Sequence, residues 1–484
     1  MPLALAYSAD FPAIADTVFI LPAGTRELPV TAAADLPEPA RQYVAARLQA
    51  DDKLISVNQY THHHYYVVAE DNKTADLSTE ALRKAGHKLH AQLKADEVAE
   101  LYICNLTATG GALALAEGLA LTAYQFEGYK TDEKSKKPAV LQQLTLVGPD
   151  LSAEQVQELD GVLQGVYLAR DLVNMPYSHL NATQLAQQFE EAGEAAGFHV
   201  EVLDLVRIEA LRMGGLLAVN QGSPEPPTFT IMEYKPAGAT NARPIVLVGK
   251  GVVYDTGGLS LKPTPNSMDL MKCDMAGSAV VVGVLTALAK NNVPLHVIGL
   301  VPATDNRPGG PALAPGDVIT MYSGLTVEVM NTDAEGRLIL ADALAFAKKY
   351  EPQLVLDYAT LTGSAVRAIG IEGTVYMGTA DEDTMLALKK AGNATHERLV
   401  EFPLWDEYAD HIKSPIADIS NLGKAEAGAI SAGKFLERFT EGYPWVHFDI
   451  AGPAFLTAPD SYRGKGGTGT AIRSTYAFLK GLVG

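Results

Sequence analysis

Asp333 and Glu335 stand two residues apart in NTDAEGRLIL, with Arg337 two places further on and an apolar run behind it. Two other charged residues follow strand-like segments, Lys250 in PIVLVGKG and Asp255 in VVYDTGG, and Asp274 in MKCDMAG stands at the start of a helix. Taken singly, each has an ordinary explanation. Asp274 reads as a helix cap, Lys250 as a snorkelling strand-end lysine and Asp255 as a turn residue beside Gly257 and Gly258. Asp333 and Glu335 read as acids answering a helix dipole. Taken together, four acids and a lysine converge on one sheet edge, where unpaired carboxylates repel unless something positive neutralises them. Two divalent cations bridged by carboxylates do so, in the arrangement that clamps both sides of a hydrolytic displacement. Oxygen-rich ligation favours Mn or Mg, and a nitrogen ligand helps Zn or Co.

Bringing these residues together falls to the elements that carry them. TFTIMEYKP, PIVLVGK, LHVIGLVPA, LVLDYATLTG, TVYMGTA and WVHFDIAG read as strands, several as apolar runs suited to cover on both faces. MAGSAVVVGVLTALAKN, GRLILADALAFAKKY and a closing segment near GTAIRSTYAFLKGLV read as intervening helices. Such alternation predicts a mostly parallel sheet, with ligands beyond the carboxyl ends of its strands. In an extended backbone residues i and i+2 point to one side, so Asp333 and Glu335 are expected to face one metal pair. The helix that follows has free N–H groups that favour an anion beside Arg337.

Upstream, DTVFIL, KLISVN, YYVVAE, AELYICN and LQQLTLV read as strands and STEALRKAGHKLHAQLKA as a capped amphipathic helix. YKTDEKSKKP, Tyr129–Pro138, reads as a solvated loop. SAEQVQELDGVLQGVYLARDLVNMP reads as a long connecting helix stopped by Pro176. A chain of 484 residues exceeds one ordinary core. The expected fold is α/β: a smaller N-terminal α/β domain over 1–150, a linker helix over 151–175, and a larger C-terminal α/β/α domain over 176–484 with a mostly parallel central sheet.

A formal charge of -19 argues against nucleic acid or an anionic membrane as the main partner. Two cysteines, Cys104 and Cys273, make no disulfide framework. The opening MPLALAYSADFPAIAD has no basic region ahead of its apolar residues, and the longest apolar stretch, AGSAVVVGVLTALA, is shorter than the ~18 residues of a membrane span. These features read as a cytoplasmic protein.

VGKG, VVYDTGGLSLKP, KCDMAGSA and NTDAEGRLILADAL, in this order and spacing, resemble the leucyl aminopeptidase (cytosol aminopeptidase) family of dinuclear metallo-exopeptidases. The likeness extends to DYATLTG, AGAISAGKFL and PWVHFDIAG and covers nearly the whole C-terminal two-thirds; the N-terminal part is similar more loosely, through AYQFEGYKT. The resemblance implies Lys250, Asp255, Asp274 and Glu335 around a tighter metal. It implies Asp255, Asp333 and Glu335, with the Asp333 carbonyl, around an exchangeable one. Asp255 and Glu335 would then bridge. Lysine ligates only as a neutral amine, so a dication must drive its pKa far below ~10.4. Lys262 in LSLKP matches the family's catalytic lysine, and Arg337 its bicarbonate-binding arginine. Tyr254 stands where phenylalanine is common, and Cys273 precedes Asp274; neither is a ligand position, and the thiol reads as buried and inert.

The implied cofactors are two divalent ions, Mn or Zn with Co or Mg in the exchangeable site, and bicarbonate. The implied mechanism takes hydroxide from a water bridging the cations, passes its proton through bicarbonate on Arg337 to the leaving amine, and stabilises the oxyanion with a metal and Lys262. Met271, Thr360, Gly363 and Ala451, with Asn331 and Leu361 nearby, would line an apolar pocket for a leucine- or methionine-like first residue of a peptide with a free N-terminus. The implied assembly is a homohexamer of two stacked trimers, with the N-terminal domain serving oligomerisation or regulation. An alternative reading adds a DNA-binding regulatory role to the same aminopeptidase, which the acidity of the chain opposes.

Two signals carry little weight. In THHHYY only His62 and His64 share a strand face, and two ligands make a poor metal site. GKGGTG, Gly464–Gly469, matches a dinucleotide motif but leaves too little chain for the βαβ unit, so it reads as a loop before the last helix.

Overall fold

The computed structural model describes residues 3–11, 14–107, 110–132, 139–148 and 151–483. Residues 133–138 of the loop expected over Tyr129–Pro138 lie outside them. Two compact units share the chain: Met1–Leu163 with Ala458–Gly464, and Gln164–Thr457 with Lys465–Gly484.

The first unit is built on six strands: β1 (Ala4–Ser8), β2 (Thr17–Leu21), β3 (Leu54–Asn58), β4 (His63–Val68), β5 (Glu100–Asn105) and β6 (Gln143–Val147). They run β1-β6-β5-β2-β4-β3, parallel except for the antiparallel β3–β4 pair. One face packs Phe19, Leu21, Ile55, Val57 and Tyr66 against Ala32, Leu36, Val44 and Leu48 from the short helix Val30–Ala33, its following turn and the helix Glu38–Gln49. The amphipathic helix Ala75–Ala95 opens at Thr74, whose side chain accepts from the Leu77 N–H. The helix Gly111–Ala123 was not anticipated. GALALAEGLALTA is apolar apart from Glu117 and Thr122, so it has no clear stripe of 3.6-residue period to betray it.

The linker helix expected over 151–175 spans Ala153–Asn174. Beyond it lie β7 (His199–Leu203), β8 (Thr228–Tyr234), β9 (Ile245–Gly249), β10 (Gly251–Asp255) and β11 (Val297–Asn306). Next come β12 (Val318–Thr320), β13 (Thr326–Glu328), β14 (Leu354–Ala359), β15 (Thr374–Gly378), β16 (Leu399–Glu401), β17 (Ile419–Ser420) and β18 (Trp445–Asp449). The main sheet runs β16-β15-β18-β14-β9-β11-β8-β7, with β10 also paired to β11. Its centre, β18-β14-β9-β11, is parallel; β7, β8 and β15 join antiparallel. β9, β14 and β18 are buried along their whole length, as strands covered on both faces must be.

The helix Ala276–Lys290 is buried from Ala276 through Ala289. Each buried valine or leucine there contributes ~1.5–3 kcal/mol, so packing rather than propensity holds it. The helical run Met268–Lys290 reaches membrane-span length and apolarity, against the shorter stretch read from sequence, but 83% of its most apolar window is buried in the protein. A Cβ on Gly277 would sit 2.0 Å from the Tyr358 carbonyl oxygen, so only glycine lets this helix start so close to β14. The expected loop at GKGGTG is partly a strand, β20 (Gly464–Gly467), following β19 (Phe455–Asp460), and the last helix spans Ile472–Lys480.

Candidate metal centre

The carboxyl ends of the central strands deliver the charged groups. Lys250 follows β9, Asp255 closes β10, Thr360 and Leu361 follow β14, and Asp449 closes β18. Asp274 follows the 3-10 helix Met268–Cys273, and Glu335 is the first residue of the helix Glu335–Ala347. Asp274 is no N-cap: the helix after it has Met275 in that place and no side-chain cap. Its carboxylate turns to Lys250 instead.

Lys250 Nζ donates to Asp274 Oδ1 at 2.8 Å and to the Thr360 carbonyl at 3.1 Å, and lies 2.9 Å from Glu335 Oε1. A Cβ on Gly336 would fall 2.5 Å from Lys250 Cε, so that glycine makes room for the lysine. Lys262 Nζ lies 2.9 Å from Asp255 Oδ2 and also pairs with Asp333. Oxygens of Asp255, Asp333 and Glu335 lie within 4.8 Å of one another. The six charged residues singled out for metal binding and catalysis around Lys250 and Lys262 thus share one place.

Asp333 and Glu335 meet by a different route from the extended backbone expected of them. Residues 332–333 form a turn, with the Ala334 N–H donating to the Asn331 carbonyl at 3.2 Å and the Asp333 N–H to Asn331 Oδ1 at 2.8 Å. This is asparagine's usual competition with regular backbone. The turn then feeds directly into the helix at Glu335.

Arg337, in the first turn of that helix, is buried; its Nη1 donates to the Asn421 carbonyl at 2.8 Å and its Nε has no hydrogen-bond partner among the described residues. Burial draws its pKa down to about 10. Among the proposed pocket residues, Thr360 Oγ1 donates to Asp274 Oδ1 at 2.8 Å. The N–H groups of Leu361 and Ala451 both donate to Asp449 Oδ1 at 3.2 Å. Gly363 opens the helix Gly363–Ile369, Asn331 forms the turn, and Met271 lies in the 3-10 helix ahead of Asp274.

Three positioning residues escaped the sequence reading. Asn306, closing β11, donates to Asp255 Oδ1 at 2.8 Å and to the Thr332 carbonyl at 2.9 Å. Asp449 gathers Leu361, Thr362 and Ala451; it stands at a strand end in WVHFDIAG, where the rule that found Lys250 would have found it. Asn421 receives the Met330 N–H at 2.8 Å and donates to the Asn331 carbonyl at 2.8 Å, from a distant loop with no local signal.

Crowding shows in the protonation. Burial, then Asp255 and Glu335, raises Asp333 to about 6, and burial holds Asp274 well above the usual carboxylate range. Burial alone would depress Lys250 and Lys262, but the surrounding acids outweigh it and keep both above the ordinary lysine value. Asp274 Oδ2 and Glu335 Oε2 are buried without a hydrogen-bond partner among the described residues. Orphaned carboxylate oxygens are costly, and a divalent cation satisfies them. The donor set, oxygen-rich with one lysine nitrogen, fits a divalent metal. A cavity of about 1010 Å³ lined by Tyr322, Lys348, Glu437 and Pro444 opens where β18 begins, away from these charged groups.

Residues 167–476 match the family model of the cytosol aminopeptidase family, catalytic domain. The chain belongs to that family. Residues 69–133 match the N-terminal domain of the same family. A probable cytosol aminopeptidase of Chlorobaculum tepidum is 48% identical over 384 residues, covering 76% of this chain and 75% of the relative. One from Geobacter sp. (strain M21) is 42% identical over 415 residues, covering 84% of each. The bottromycin maturation enzyme BotP in complex with Mn superposes with a TM-score of 0.85 at 30% identity, over 97% of this chain and 100% of that one. A tomato leucine aminopeptidase mutant superposes at 0.84 and 25% identity, over 99% and 97%. Family membership makes this chain a peptide hydrolase of the aminopeptidase kind.

Proposed function

We propose that this family member is a metal-dependent exopeptidase that releases leucine- and methionine-like residues from peptide N-termini in the cytoplasm. Lys250, Asp255, Asp274, Asp333 and Glu335 would hold two divalent ions, with Asp255 and Glu335 shared. The observation that carries this is the pair of orphaned buried oxygens, Asp274 Oδ2 and Glu335 Oε2, beside the converging Asp255 and Asp333. When bound, the two ions supply Lewis acidity for peptide hydrolysis.

The chain's own groups do the rest. Asn306 holds the Asp255 carboxylate by one oxygen and leaves the other turned toward Lys262. Lys262, released from Asp255 and Asp333, offers a cation to the developing oxyanion. Arg337, whose Nε has no partner among the described residues, would hold bicarbonate near the start of its helix, and that ion would supply a proton carrier. Asp449 fixes the backbone of Leu361 and Ala451 on one wall of an uncharged pocket. A charged first residue would meet no partner there, which favours apolar side chains. Assembly as a homohexamer belongs to the same reading. A DNA-binding role finds no support in the names of the relatives, and the charge of -19 opposes it.

The test compares Leu-Gly-Gly with acetyl-Leu-Gly-Gly across pH 6 to 10. A free amine has a pKa of ~7.7–8.0, so cleavage of the first peptide should rise toward alkaline pH. The acetylated peptide should resist. Comparable cleavage of both, or release of anything but the first residue, overturns the reading.

A further inference from the structure

We infer that Asp35, His62 and His64, in the N-terminal unit, form a separate binding site for one transition-metal dication of the Zn or Co kind. Two histidines alone made a poor site in the sequence. The fold adds a carboxylate. Asp35 lies just past the helix Val30–Ala33, which covers the β4 face that His64 occupies, and one ligand atom from each residue falls within 4.8 Å of the others. The His62 and His64 rings stand edge to face with centroids 5.1 Å apart. His63 between them points elsewhere, its Nδ1 2.9 Å from Asp16 Oδ1.

The surroundings choose which nitrogen of His64 is free. The Tyr66 hydroxyl donates its one proton to the Ala32 carbonyl at 3.0 Å, so toward His64 Nδ1, 3.4 Å away, it serves as an acceptor. That places the proton on Nδ1 and leaves Nε2 with a lone pair. Nε2 lies 3.8 Å from Asp35 Oδ2. A lone pair facing a carboxylate is repulsive unless a cation stands between them. A polar group orienting a ring through its far nitrogen is the usual support of a metal-ligating histidine.

His62 has Gln59 Nε2 3.2 Å from its Nε2 and Thr61 Oγ1 3.0 Å from its Nδ1. A metal on one nitrogen displaces one neighbour and keeps the other as the ring's support. Asp35 is 43% exposed in its side chain, so it can swing to close the ~2.0–2.2 Å bonds zinc requires and leaves an entry path. Three protein ligands of N₂O type leave a fourth tetrahedral position open.

The test counts metal in full-length protein stripped by chelator and dialysed against Zn²⁺. Wild type should hold one equivalent more than each of Asp35→Asn, His62→Gln and His64→Gln, with peptide hydrolysis unchanged in all three. Asp35→Asn alters an exposed side chain and guards against a folding defect at buried His64. Co²⁺ loading should add visible absorption in wild type that is absent in His62→Gln. Equal metal content in wild type and the three variants overturns the site, as does a Co²⁺ spectrum that His62→Gln leaves unchanged.

Discussion

Lys250 Nζ lies 2.9 Å from Glu335 Oε1, and both side chains are buried. A strand end and a helix start are thereby joined by charge. Lys262 makes the equivalent link between Asp255 and Asp333. Four carboxylates against two ammonium groups leave the cluster two charges negative, the deficit one dication cancels. A second dication would leave the centre two charges positive, and loss of the Lys250 proton, which ligation by its nitrogen demands, halves that excess.

Asp333 sets a pH limit on metal loading. Burial and its acidic neighbours raise it to about 6, so below that pH it binds a proton that a metal must displace. Mn²⁺ affinity, followed by titration calorimetry, should fall as pH drops through 6. Metal binding at pH 5.5 should release more protons than at pH 7.5.

Lys262→Ala should keep its metals and lose rate. Removing one group that stabilises an oxyanion costs about 100- to 1000-fold in kcat. Metal content by mass spectrometry and kcat on Leu-amide together check this. Loss of a metal in the variant would make Lys262 a ligand instead.

Asp449→Ala should blunt selectivity. Its carboxylate holds the Leu361 and Ala451 N–H groups and the Thr362 hydroxyl, so its loss frees the loops after β14 and β18 together. KM for Leu-amide should rise several-fold more than KM for Ala-amide, with metal content unchanged.

Asp342 tests stability rather than chemistry. It is fully buried and accepts the Leu216 N–H at 3.0 Å and the Tyr322 N–H at 2.8 Å, capping a helix that has no cap of its own. Asp342→Ala should cost ~1–3 kcal/mol for each orphaned donor. Burial raises the Asp342 pKa from 3.8 to about 7. The folded protein therefore holds this proton more tightly than the unfolded one. The resulting stability is complete below about 4 and is lost as pH rises through 7. The Tm advantage of wild type over Asp342→Asn should thus be larger at pH 5 than at pH 8.

Much of the site was legible because a parallel sheet sends its functional groups to one edge. Lys250 and Asp255 were found from apolar runs followed by a charge, Asp274 from its place ahead of an apolar helix, and the sheet centre from the same apolar runs. β1 was not: ALAYS lacks β-branched residues and is defined by its parallel register with β6. The approach of Asp333 to Glu335 was misjudged because the Asn331 side chain, rather than strand geometry, shapes that turn. Asn421 and Asp35 act from loops far along the chain. Nothing local in sequence reports such contacts.

The most direct measurement is metal-dependent turnover in Glu335→Ala. Glu335 offers one oxygen to Lys250 and keeps the other buried with no partner among the described residues, so it is the ligand that both ions would share. Chelator-stripped wild type should regain Leu-amide hydrolysis on adding Mn²⁺. Glu335→Ala, folded by circular dichroism, should fail to regain it and should bind fewer than two ions at the centre. Wild-type turnover in the re-loaded variant would contradict the dinuclear centre.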